Sequence, residues 1–204
     1  MKPISLLFIA LVAILFQGCI IKSLYPFYKE SDLVFKQELV NTSWVDQDGA
    51  QWVINVVKER PNAYEMHYLG KEKDRDVVFV AHLFKLNNNL YLDFFPVSDG
   101  NETSAIFNLH LLPTHSLAKV NVMNNAEIQI KWFNEEWLRS LFEQNRIKIS
   151  HEVIYDEDPR DKDKMYVLTA PVDELQKFVI KYGDWDAAFD NDNSVWLRLK
   201  KANQ

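Results

Sequence analysis

The chain has 204 residues, a formal net charge of −6 at pH 7, one cysteine, and an aromatic content of 13% that includes six tryptophans. This length fits one ordinary domain, which can bury a sizeable core without disulfides. The acidic balance, without a cluster of Lys and Arg interleaved with aromatic residues, argues against nucleic acid and against anionic lipid headgroups as partners.

The N-terminus has the pattern of a secretory signal that ends at the only cysteine. Lys2 precedes the apolar run Ile4 to Phe16, and Gly18 precedes Cys19. A short basic region, an apolar stretch and a small residue before the cut are the marks of a cleaved signal peptide. This pattern resembles the type II signal peptide of bacterial lipoproteins. The resemblance implies cleavage before Cys19 and lipidation of that cysteine.

The lipoprotein resemblance sets the expected location and the expected domain boundaries. Ile20 follows the cysteine where an inner-membrane retention signal would have Asp, which favours the outer membrane, facing the periplasm, with surface exposure left open. Lipidation would leave no free thiol for catalysis or metal binding. The alternative is an uncleaved membrane anchor from Ile4 to Ile21, which is near the minimum length for a membrane span. We expect a signal peptide over 1–18, a lipidated tether over 19–31 and one globular domain over 32–204.

The predicted tether has no regular period, and Pro26 interrupts strand pairing. Its aromatic residues could lie in the bilayer interface or could pack on the outer wall of the domain. A stretch of sparse aromatics without a basic face makes a poor interfacial anchor. Packing on the domain is therefore the favoured interpretation.

Residues 33–133 predict a series of short antiparallel strands. Asp48-Gly49 and Asn124-Asn125 are typical hairpin turns, and Asn87-Asn88-Asn89 indicates another turn. Asp76 to Leu86 is apolar on both faces, so both sides of that strand must be covered. The predicted strands are Leu33 to Val40, Trp44 to Asp46, Gln51 to Val57, a segment around Tyr64 to Tyr68, Asp76 to Leu86, Leu90 to Pro96, Ala105 to Leu112, Ala118 to Met123 and Glu127 to Phe133.

Helical spacing begins only in the last third of the chain. Asn134 to Asn145 carries an apolar stripe behind Asn134, a good N-cap residue. A second helix begins after Thr169, with Pro171 in its first turn and Gly183 at its end. Strands are predicted at Ile147 to Tyr155, Met165 to Leu168 and Ser194 to Leu199.

Two acidic loops, around 156–163 and 190–194, resemble calcium loops in composition. They lack the glycine and the distal glutamate that a calcium loop needs, so we expect no calcium site in either.

These elements predict a mainly β fold, an antiparallel meander that forms either a β-sandwich or a barrel, with two helices in the C-terminal half. The order resembles lipocalins, in which Gly-x-Trp opens the first barrel strand. Thr42-Ser43-Trp44 stands at that place here, so only Trp44 carries over. The resemblance implies a closed barrel that holds a small apolar ligand. A filled sandwich or half-barrel accounts for the same alternation.

Catalytic and cofactor motifs are absent from the sequence. There is no Gly-x-Ser-x-Gly, no Gly-rich phosphate loop and no His-Glu-x-x-His, so we expect no cofactor, no metal and no enzymatic activity. One cluster of polar residues interrupts the apolar strands. Asn108 and His110 share one face of a predicted strand, and His115 lies just beyond Pro113. Asp93 could be the carboxylate that orients a histidine of this cluster. These four side chains could form a polar spot in a cavity that binds a ligand. An ordinary solvent-facing strand surface is the favoured interpretation.

Three classes of function stay open at this stage. The favoured one is a lipid-anchored binding or interaction module of the cell envelope, with a small apolar ligand or an envelope protein as partner. The second is a structural accessory of an envelope assembly. The third, and least favoured, is a hydrolase with a site around His110 and His115.

Overall fold

The computed structural model describes residues 20–60, 62–70, 76–97, 111–124, 126–155, 164–189 and 196–202. The described strands are β1 Lys22–Ser23, β2 Thr42–Val45, β3 Gln51–Val56, β4 Ala63–Leu69, β5 Val77–Leu86, β6 Asn89–Val97, β7 His115–Asn124, β8 Glu127–Trp132, β9 His151–Tyr155, β10 Lys164–Leu168 and β11 Trp196–Lys201. The described α-helices are α1 Glu135–Glu143, α2 Val172–Tyr182 and α3 Asp186–Phe189.

Eight of these strands form a closed antiparallel barrel. From β2 to β8 each strand pairs with the next along the chain, and β11 joins β8 to β2. The chain leaves the barrel after β8, builds an outer layer, and returns for β11. The fold class is therefore mainly β, as predicted, and the closed barrel is the correct one of the two predicted arrangements.

The inside of the barrel is occupied by the protein's own side chains. Because successive residues of a strand face opposite sides, alternate residues of each strand point inward. The buried inward residues contact one another as one hydrophobic group, which we call the lumen cluster. Its largest members on the barrel strands are Trp44, Trp52, Ile54, Tyr64, Met66, Leu83, Leu92, Phe94, Ile128, Ile130, Leu197 and Leu199. An eight-stranded barrel is just wide enough for side chains to fill it.

A second hydrophobic group lies between the barrel wall and the outer layer. Phe84 and Leu86 of β5 and Tyr91 of β6 face outward and belong to one group with buried residues of the three helices. The outward face of β5 is thus covered as well as its inward face, which fulfils the expectation from its apolar pattern. The outer layer also contains β9 and β10, which extend the sheet beyond β7 through β1.

Residues 20–32 lie on the outer wall, and we call them the N-terminal strap. Lys22 and Ser23 form β1, which pairs with the start of β7 and runs parallel to β10. Ile21 and Phe27 are fully buried in the outer hydrophobic group. Of the two interpretations of this segment, packing on the domain is the one observed.

Helix boundaries follow the predicted signals closely, whereas the segment after the strap differs. Asn134 caps α1 by accepting a hydrogen bond from the Trp137 amide at 3.1 Å. Leu33 to Val40, predicted as a strand, instead makes a single bridge at Leu33 and a short 3-10 helix over Gln37–Leu39. Leu39 and Val40 join the lumen cluster, so this segment buries its apolar side chains without strand pairing. Most of the predicted strand at 105–112, namely residues 105–110, lies outside the described residues.

Gly183 stops α2 at a point where the barrel wall leaves no room for a side chain. A Cβ at this position would meet the hydroxyl of Tyr91 and, at 2.7 Å, the carbonyl oxygen of Val179. We expect Gly183→Ala to lower the free energy of unfolding by about 1–3 kcal/mol, as overpacking does. Urea denaturation measures this change.

The same measurement on the double variant Gly183→Ala/Tyr91→Phe tests the cause. Tyr91→Phe removes the hydroxyl, so Gly183→Ala should cost less in the Tyr91→Phe background than in the native one. Equal costs in the two backgrounds would mean that the Tyr91 hydroxyl is not the obstacle.

Candidate functional site

The polar cluster of interest lies on the outer wall of the barrel, beneath the N-terminal strap. Leu92 and Phe94 of β6 face the lumen, so Asp93 between them faces outward. Its carboxylate is fully buried because the strap covers it. His82 of β5 is its partner across the strand pair, and His115 begins β7 on the other side.

Both carboxylate oxygens of Asp93 accept hydrogen bonds. Oδ1 lies 2.7 Å from Nδ1 of His115, and Oδ2 accepts the backbone N–H of Phe27 at 2.9 Å. Because an ionised carboxylate only accepts, the proton between His115 and Asp93 belongs to Nδ1. In the neutral form of the His115 ring, this is the tautomer whose Nε2 is an acceptor. The ring of Phe95 packs against it with centroids 4.8 Å apart.

The strap residue Phe27 is held on both sides of its peptide backbone. Asp93 accepts from its N–H, and Nε2 of Gln176, on α2, donates to its carbonyl oxygen at 3.3 Å. The same Gln176 amide donates to Oδ2 of Asp32 at 2.6 Å. The barrel and α2 therefore both hold the strap through hydrogen bonds to Phe27, whose side chain is buried between them.

Tyr28 and His82 form the second half of the cluster. Their rings stack with centroids 4.5 Å apart at an angle of 26°. Burial lowers the pKa of His82 below its ordinary value of 6.5. The negative charge of Asp93 raises this pKa, but its effect is smaller than that of burial. Arg60 and His115 lower the pKa further. Burial also raises the pKa of Tyr28 to about 12, with contributions from Asp93 and Glu30. Near neutral pH both rings are thus uncharged.

In many hydrolases, a buried carboxylate orients a histidine that acts as a general base, and this histidine lies within hydrogen-bond distance of a nucleophile. A nucleophile beside His115 would complete this arrangement. Ser23 is the register partner of His115 in the β1–β7 pair. Its hydroxyl, however, donates to the Tyr25 carbonyl oxygen at 2.8 Å and accepts from the Tyr25 amide at 3.2 Å. Both contacts belong to the turn of the strap. Asp93 and Gln176 hold the strap at the backbone of Phe27, and we call this pair of contacts the clamp.

The structure brings together two of the four residues proposed from the sequence. Asp93 and His115 form a direct hydrogen bond, and Asp93 is the orienting group for His115. Asn108, His110 and the predicted lipidation residue Cys19 lie outside the described residues, as do the two acidic loops. Within the described ranges, no group of three His, Cys, Asp or Glu side chains could hold a metal ion.

Sequence reasoning missed Tyr28, His82 and Gln176. His82 does carry a signal, since it is the one polar residue in the otherwise apolar stretch from Val77 to Phe84. Gln176 interrupts the buried stripe of α2 in the same way. A polar residue on an apolar face is a good indication of a buried hydrogen bond or ring contact.

The lowered pKa of His82 predicts a pH dependence of stability. Above pH 6.5 the ring is neutral in both folded and unfolded chains; below 6.5 the unfolded chain takes up a proton that the folded chain resists. Stability should therefore fall as the pH drops below 6.5, by at most about 1.4 kcal/mol per pH unit for this group. Urea midpoints between about pH 5 and 7 measure the slope.

The matched variant for this measurement is His82→Gln, which removes the titrating group. Its stability should depend less on pH in the same window. Asp32 should not contribute to the slope in this window. Burial raises its pKa, but hydrogen bonds from Gln176 and the Lys29 amide lower it overall, below the ordinary value of 3.8. The contribution of this carboxylate to stability is therefore lost only at a pH below the window of the His82 measurement. An unchanged slope in His82→Gln would assign the dependence to another group.

No known protein family, no curated protein and no solved structure matches this chain. Among the helices in the described part of the chain, none has the length and apolar character needed to cross a membrane. The geometry of the barrel and its outer wall is therefore the basis for a functional proposal.

Proposed function

We propose that this chain is a lipid-anchored interaction module of the cell envelope, which binds its partner on the outer wall of the barrel. Acyl chains on Cys19 attach it to the outer membrane, and the barrel faces the periplasm. The partner is another envelope component. The chain is not proposed as an enzyme or as a carrier with a ligand in the lumen.

The single observation that carries this choice is the filled lumen. Trp44, Tyr64 and Phe94 are almost completely buried inside the barrel and belong to the lumen cluster. A carrier of a small apolar ligand needs a cavity of several hundred Å³ at such a place. Because the described inward side chains fill much of the barrel, its outer wall is the favoured surface for a partner.

The strap supports the anchoring part of the proposal. Signal peptide and lipidation site are indicated by residues 1–19, and the described fold begins at Ile20 with a bridge to Asn134. A lipidated Cys19 would thus be joined to the barrel without a long linker. The clamp of Asp93 and Gln176 on Phe27 then fixes how the barrel is turned toward the membrane.

Two measurements test the two parts separately. Labelling with a radioactive fatty acid should mark the native chain, and Cys19→Ser should abolish the label and leave a precursor of higher mass. Continued labelling of Cys19→Ser would refute lipidation at this residue.

Native mass spectrometry tests the filled lumen. Residues 20–204, which contain every described element, should give the mass of the chain alone after purification without lipid. A stoichiometric small apolar molecule that survives purification would overturn the assignment of the binding function to the outer wall and restore the carrier.

A further inference from the structure

A shallow groove of about 470 Å³ lies between α2 and the segment that follows α1. Arg146 and Lys148 line one wall, and Lys177 and Lys181, one helical turn apart on α2, line the other. Glu174 is the one carboxylate in its lining. Four cations therefore converge on this place in a chain whose net charge is −6.

The four cations are available to a ligand. Of the ion pairs formed in the described part of the chain, none includes these side chains. Asp173 lies near Lys177, but its carboxylate is bonded to Lys29 of the strap. Four cations that face one carboxylate in the groove lining create a local positive potential that attracts an anion.

Apolar groups lie beneath and beside the cations. The rings of Phe178 and Tyr182 line the groove, and Nζ of Lys181 lies 4.8 Å from the centre of the Tyr182 ring. Beyond the groove, Ile180 and Trp185 are 44% and 47% exposed. Exposed indole and aliphatic groups next to cations are typical of a surface that meets the headgroup region of a bilayer.

The start of the described fold lies on the same side of the barrel. Ile20 bridges to Asn134, whose backbone N–H donates to the Ala188 carbonyl oxygen of α3 at 2.9 Å. The Ala188 amide in turn donates to the carbonyl oxygen of Trp185 at 3.0 Å. Ile20 is thus connected through Asn134 to Ala188 of α3, which lies about one helical turn from Trp185.

We propose that this groove binds the anionic headgroup of a bilayer phospholipid, so that the helical side of the barrel lies against the membrane. The cations bind the phosphate, and Ile180 and Trp185 enter the interface. The proposal rests on the proposed function only for the presence of a bilayer. It differs from the expectation that anionic lipids are poor partners, which rests on the net negative charge and on the absence of a Lys and Arg cluster in the sequence.

Vesicle flotation tests the groove with residues 20–204, which carry no acyl chain. We expect binding to vesicles made of equal parts phosphatidylcholine and phosphatidylglycerol, and little binding to phosphatidylcholine alone. The triple variant Lys148→Gln/Lys177→Gln/Lys181→Gln should weaken binding on the order of a hundredfold, since one lysine at an anionic surface is worth roughly fivefold. Unchanged thermal midpoints verify that the variant is folded.

The matched control is Lys58→Gln/Lys85→Gln/Lys200→Gln, which removes the same charge from exposed lysines on the barrel. This control should keep most of the binding. Equal losses in the two triple variants, or equal binding to both vesicle types, would overturn the proposal. So would saturable binding of inorganic phosphate without binding to vesicles. Because acyl labelling is read independently, failure here would not touch the assignment of Cys19.

Discussion

Replacing Asp93 by alanine should lower the free energy of unfolding by about 3 kcal/mol. The change leaves the buried N–H of Phe27 and the Nδ1–H of His115 without their acceptor, and a buried donor without a partner costs about 1–3 kcal/mol. Removing one partner of a buried charged contact costs more than the contact itself contributes. Urea denaturation gives the total effect.

Hydrogen exchange locates the effect of Asp93→Ala. The amide of Phe27 should lose its protection, and amides of the lumen strands should lose much less, because the carboxylate holds the strap and not the inside of the barrel. Asp48→Ala, at an exposed position in the β2–β3 turn, is the control, with at most about 0.5 kcal/mol expected. If Asp93→Ala does not fold, Asp93→Asn offers one acceptor and allows the same comparison.

A stable Asp93→Ala chain with a protected Phe27 amide would contradict the clamp. That result would mean that the burial of Ile21 and Phe27 alone holds the strap.

Phe94→Ala should destabilise the barrel by about 3–5 kcal/mol. The Phe94 ring is almost fully buried in the lumen, near the rings of Phe79 and Trp132, with centroids 5.8 and 5.4 Å away. Loss of a large buried ring removes its transfer free energy and leaves a cavity. Chemical denaturation measures the difference from the native chain.

The neighbouring residue supplies the control. Phe95 follows on the same strand but faces outward against His115 and is only half-buried, so Phe95→Ala should cost about 1 kcal/mol. The cavity in Phe94→Ala should also take up benzene, which raises its thermal midpoint but not that of Phe95→Ala. A benzene response in the native chain would show that the lumen already has room for a ligand.

Local elements could be read from the sequence because their signals are local. The Asp48-Gly49 turn, with Gly49 at a φ of 82°, and the Asn134 cap depend on residues within a few positions of one another. Closure is different, because a sandwich and a barrel share the same alternation along each strand. The deciding contact is Lys200 beside Val45, two residues far apart in the chain.

The cluster around Asp93 was partly predictable from the sequence, whereas the basic groove was not. Asp93 and His115 could be named as candidates because they are polar residues in or next to predicted apolar strands, but their direct hydrogen bond, which spans 22 positions, was not predicted. Gln176 could not be named, since its contact with Phe27 spans 149 positions. The basic groove escaped notice because each of its two walls contributes only two cations, which along the chain resemble ordinary solvated charges.

The position of β11 makes the barrel depend on the strand that is synthesised after all the others described. Until residues 196–201 have emerged, β2 and β8 are two open edges, and the lumen cluster lacks Leu197 and Leu199. Open edges of this kind pair readily with other chains. The barrel therefore closes only after its last described strand has been synthesised, and the chain has two unpaired edges until then.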